Sequence, residues 1–77
     1  MNVETAQRLA DLRRSKGFSQ EGLARKLGLS RQAVSKWENG TAYPDITIIP
    51  SLAVFFNISI DELFDFDKTK IESEIFA

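Results

Sequence analysis

The sequence predicts an all-α domain of five short helices, and three observations carry that prediction. Apolar residues recur at helical spacings, as in Leu23, Ala24 and Leu27 or Val34 and Trp37. Glycines and hydroxyl side chains stand where helix ends need them, at Gly17, Gly28, Ser30, Gly40 and Ser59. The 77 residues are 43% hydrophobic, which suits one small globular core.

The first helix is expected from Val3 to Ser15, with Asn2 as its cap, Glu4 in the first turn and Gly17 just past the end. Val3, Ala6, Leu9, Ala10 and Leu12 supply its buried side. Ser19 to Gly40 reads as two amphipathic helices around a tight turn, the outline of a helix-turn-helix. Leu23, Ala24 and Leu27 line the inner side of the first of these, and Gly28 ends it. Leu29 fills the turn and Ser30 caps the next helix. There Val34 and Trp37 face inward, while Gln32, Ser35, Lys36 and Asn39 point the other way. Thr41 to Pro44 is a loop, because the residue before a proline avoids helical angles. A fourth helix lies within Asp45 to Phe56, with Pro50 either opening it or dividing it from a preceding turn. Ser59 and Glu62 have capping-box spacing and start a fifth helix that runs to about Phe64. Residues 1–66 therefore form the domain, and 67–77 a C-terminal extension whose Ile71 and Ile75 suit a short helix or a frayed end.

Several function classes are excluded by what the chain lacks. It has no histidine for acid–base work at neutral pH and no cysteine nucleophile or disulfide. No Gly-rich phosphate loop is present. Asp61, Glu62, Asp65 and Asp67 cluster without the spacing of a calcium loop, so no metal and no cofactor are expected. Residues 46–60 are the most apolar stretch but are interrupted by Thr47, Pro50, Ser51, Asn57 and Ser59, which argues against a membrane span. A non-enzymatic role is expected.

The net charge of −1 hides a strong polarity. Residues 1–44 carry eight basic side chains against four acidic ones, and residues 45–77 carry two against seven. The basic part contains the helix-turn-helix, so one face of the molecule can be offered to phosphates. On the third helix, Gln32 has the amide to pair with adenine and Lys36, one turn on, the ammonium to reach guanine. Ser35 lies beside them, and Arg31 in the first turn is long enough to join them. Ser19 and Gln20 stand at the head of the second helix, where free N–H groups favour a phosphate. Asn39, Thr41 and Tyr43 follow the third helix and are candidates for phosphate on the other side. For each alone, a capping or merely exposed role competes.

Arg13 and Glu38 fall at the edges of two apolar stripes, and opposite charges so placed should pair. A second role for Arg13, turned toward a phosphate, is also open. Five of the six phenylalanines (Phe55, Phe56, Phe64, Phe66 and Phe76) lie in the C-terminal part. They are expected either to form a homodimer interface or to fill the space beneath the fourth and fifth helices.

LRRSKGFSQ, the small Ala24, the Gly28 turn, WENG and PDITIIPSLAVFFNISIDEL together resemble the Cro and phage-repressor helix-turn-helix family, the Xre-like regulators of bacteria and phages. The resemblance spans roughly residues 5 to 65. It implies a phage-repressor-like fold, base contacts at Arg31, Gln32, Ser35 and Lys36, a backbone contact at Gln20, and an ion pair between Arg13 and Glu38. Gly22 departs from the family, which carries a helix former there; glycine should weaken the helix by about 1 kcal/mol relative to alanine. The function expected is a cytoplasmic, nucleoid-associated regulator, a repressor, that binds a two-fold-symmetric double-stranded DNA operator as a homodimer. The alternative is a protein-interaction module of the same fold, an anti-repressor or antitoxin-like subunit. A third possibility is the N-terminal part of a longer regulator.

Overall fold

A computed structural model of the chain describes residues 3–64. Five α-helices follow one another: α1 (Val3–Ser15), α2 (Gln20–Leu27), α3 (Arg31–Glu38), α4 (Ile49–Phe56) and α5 (Ile60–Leu63). Among the described residues there is no strand. The expected extension beyond Phe66, with Ile71, Ile75 and Phe76, lies outside the described residues, as does Asn2.

Each helix end is fixed by local chemistry. Ser19 caps α2 by accepting the Gly22 N–H at 2.9 Å, and Ser30 caps α3 by accepting that of Ala33 at 3.3 Å. Gly28 closes α2 at φ +71°, a left-handed geometry that sends the chain straight into the turn. Leu29 N–H then donates to the Ala24 carbonyl at 2.8 Å, completing the bonds a helix end leaves open. Pro50 sits in the first turn of α4, after a separate turn in which Ile48 N–H donates to the Asp45 carbonyl at 2.8 Å. In that turn the Asp45 carboxylate accepts from the Thr47 N–H and hydroxyl, which hold the exposed Asp45 carboxyl below the usual carboxylate range. Asn57 ends α4 in the left-handed region at φ 55°. Ser59 and Glu62 cap each other's backbone, so the capping box at the start of α5 is present.

The core is assembled from all five helices. Leu9, Leu23, Ala24, Val34, Trp37, Leu52, Phe56 and Leu63 form one buried cluster. Phe18, Phe55 and Phe56 meet edge to face, with centroids 5.1 and 5.2 Å apart, and Lys16 lies 5.7 Å over the Phe55 ring. Phe55 and Phe64 are partly buried and Phe56 is in the core. Those three rings therefore pack around α4 and α5, with Phe55 and Phe64 left partly open. Val3 also differs from expectation. It is 82% exposed, although Thr5 in the same first turn is buried, so Val3 lies outside the covered stripe of α1.

Gly22 has a packing reason. A Cβ at this position would stand 3.2 Å from Ser19 Oγ and 3.3 Å from the Phe18 ring. The missing methyl leaves room for the cap and the ring to close over the head of α2.

Candidate nucleic-acid interface

α3 is a two-sided helix. Its inner side drives Val34, which has no exposed surface, and Trp37, 4% exposed, into the core. Trp37 is thus a packing residue. The opposite side carries Arg31, Gln32 and Lys36 in solvent, with Ser35 half-buried beside them. Residues one turn apart on a helix share a face, so Gln32 and Lys36 project together and Arg31 and Ser35 flank them. This side is entirely polar and carries no carboxylate, which suits acceptors and donors on base edges.

The far end of α3 is closed tightly. Thr41 N–H donates to the Lys36 carbonyl at 2.9 Å, and Asn39 Oδ1 accepts from both the Thr41 N–H (3.1 Å) and the Thr41 hydroxyl (2.7 Å). Asn39 and Thr41 therefore shape the exit from the helix, while Tyr43 stands 65% exposed on the following loop. At the other edge, Ser19 Oγ is engaged as the α2 cap. The Gln20 amide donates from Nε2 to Glu38 Oε1 at 3.1 Å.

Glu38 also accepts from Arg13, at 2.7 Å from Nε and 3.0 Å from Nη2, and Arg13 Nη1 donates to the Phe18 carbonyl at 2.8 Å. The two side chains are only 10% and 6% exposed. Their hydrogen bonding and charge raise the Arg13 pKa against the opposing effect of burial, so the cation is secure. The pair expected from the sequence is thus in place. All three guanidinium nitrogens bond inward, so the second role considered for Arg13, toward a phosphate, would fall to the second N–H bonds of its terminal nitrogens. The resemblance implies that Gln20 can brace the third helix, but that it does so through Glu38, as a third partner of the pair, is not set by any spacing in the sequence.

No group of three potential metal-binding side chains occurs among the described residues, and none of their helices is long and apolar enough to cross a membrane.

This geometry coincides with a known pattern. The family described as Helix-turn-helix matches residues 9–63. The chain belongs to the helix-turn-helix family. Among its relatives, the HTH-type transcriptional activator BcrR of Enterococcus faecalis is 43% identical over 61 residues, which are 79% of this chain and 30% of BcrR. The HTH-type transcriptional regulator YazB of Bacillus subtilis is 41% identical over 56 residues, 73% of this chain and 81% of YazB. The restriction-modification controller protein C.AhdI of Aeromonas hydrophila superposes with a TM-score of 0.71 at 42% identity, covering 80% of this chain and 90% of that one. The chain thus spans less than a third of the first of these relatives and most of the other two. By name the three are a transcriptional activator, a transcriptional regulator and a restriction-modification controller protein, and none is named as an enzyme.

Proposed function

We propose that this helix-turn-helix protein is a sequence-specific reader of double-stranded DNA that lays α3 in the major groove and regulates transcription. The observation that carries the reading is the division of α3, with Val34 and Trp37 anchoring one side and Arg31, Gln32, Ser35 and Lys36 offered on the other. Gln32 and Lys36 read base edges, with Arg31 and Ser35 beside them. Ser19 and Gln20 on one flank, and Asn39, Thr41 and Tyr43 on the other, hold the phosphate backbone and set the register. Repression follows from occupying promoter DNA and needs no further contact, so it is the mode we assign. Such a protein works in the cytoplasm, on the nucleoid.

The same proposal includes a homodimer with two-fold symmetry. Its basis among the described residues is α4. Val54 is 80% exposed on α4, a helix whose one polar side chain is Ser51, and Ile60 at the start of α5 is 46% exposed. A second copy covering this patch would bury both isologously. It would also set two recognition helices about 34 Å apart on one side of the duplex. The interaction-module alternative calls for an apolar outer side on α3, and the side is polar and basic.

Selection from randomised duplex DNA tests the reading. Enrichment of an inverted repeat is expected, and recovery of no preferred sequence would count against it. Val54→Asp should leave the helical fold intact and convert a dimer on the selected site into a single bound chain, as read by sedimentation.

A further inference from the structure

We propose that Glu38 is a positioning residue for the DNA-backbone contact at the head of α2, holding the Gln20 amide ready for a phosphate while Arg13 cancels its charge. The proposal rests on the DNA-binding reading above and names how its flank is built. Glu38 is the last residue of α3, Gln20 the first of α2, and Arg13 lies in the last turn of α1, so one carboxylate joins the ends of three helices. Its Oε1 is shared by Arg13 Nη2 at 3.0 Å and Gln20 Nε2 at 3.1 Å. Arg13 Nε takes Oε2 at 2.7 Å.

Three consequences follow from that arrangement. A primary amide has two N–H bonds, so with one given to Glu38 the other remains for a phosphate oxygen. A glutamine side chain fixed in this way has lost its rotamer freedom before DNA arrives, which removes that cost from binding. A carboxylate next to an approaching phosphate would ordinarily repel it, but a bidentate guanidinium neutralises Glu38 without occupying all of Oε1. Arg13 thus assists DNA binding from inside the protein, without touching the backbone.

The test is a double-mutant cycle with the full chain on the duplex obtained by selection. Gln20→Ala and Glu38→Leu, which removes the acceptor altogether, should each weaken binding by roughly three- to tenfold, evenly across sequences and with base preference unchanged. The double variant should bind no more weakly than about the worse single one, because both remove the same contact. Circular dichroism at low temperature confirms that each variant is folded. A second measurement needs no substitution. In the unaltered protein free of DNA, the side-chain amide protons of Gln20 should exchange more slowly than those of the exposed Gln32. Additive losses, a change of base preference in Glu38→Leu, or equal exchange at the two glutamines in the free protein would each overturn the proposal while leaving the DNA reading intact. An unaltered chain that selects no DNA would overturn both.

Discussion

The two halves of this domain are held together by different means. Local caps occur in both halves, at Ser19, Gly28 and Ser30 and again at Asn57 and Ser59. The helices α1, α2 and α3 are in addition joined by directional polar bonds through a carboxylate shared by Arg13 and Gln20. From α4 to α5 the structure depends on apolar burial, with Leu52, Ala53, Phe56 and Leu63 inside and few polar links between elements. Directional bonds fix position, whereas apolar contact fixes proximity and leaves angles freer. The half that carries the side chains proposed to read DNA is the half whose helices are joined by directional bonds. The other half supplies core and the surface proposed for a partner copy.

The sharpest way to break this contrast is to remove one member of the buried ion pair. Arg13→Met should destabilise by about 3–5 kcal/mol in urea melts, because it leaves Glu38 enclosed without its cation. Adding Glu38→Leu should recover much of that loss, and strictly additive costs would show that the two charges are not coupled. On the apolar side, Leu52→Ala should cost about 2–5 kcal/mol by opening a cavity, with no apolar change able to act as a second-site rescue through charge. A loss near zero would mean that α4 is not integral to the core.

A smaller effect is expected where the outer side of α3 is altered, and it should appear in binding rather than in stability. Gln32→Ala and Lys36→Ala should each lose about 1–3 kcal/mol on a selected site and relax preference at their own base pair, with unchanged melts. Titrations showing no loss when both are changed would remove this face as the reader. The smallest effect belongs to Gly22→Ala. Helix propensity alone favours alanine by about 1 kcal/mol. The close approach to Ser19 Oγ and the Phe18 ring should cancel most of this, giving a nearly unchanged melting midpoint.

Which features could be read from the chain depended on how local they are. The Gly28 turn, the Ser30 cap, the Ser59–Glu62 box and the inward pair Val34 and Trp37 are each set within a few residues, and each stands where the sequence puts it. Arg13 and Glu38 were legible across 25 positions because a charge on an apolar stripe demands a partner. Gln20 carries no such demand, since an amide at a helix start is at ease in water, and its bond to Glu38 emerges only from the fold. Val3 differs for the converse reason: periodicity places it near the edge of the apolar stripe, yet nothing in periodicity says that the covered side takes in Thr5 and leaves Val3 out. The roles of Arg31, Gln32, Ser35 and Lys36 toward DNA remain a proposal that geometry permits.

Leu63, with no exposed surface, is carried by the four-residue helix α5. A single turn is too short to persist by itself, so α5 exists only while Leu63 stays in place. Fluctuations of the native state should therefore begin there, as a local opening that lifts one turn and uncovers the base of the core. Native-state hydrogen exchange should find α5 amides exchanging through such openings, while those in the middle of α2 and α3 wait for global unfolding. The α5 end of the protein can then open while α3 stays folded.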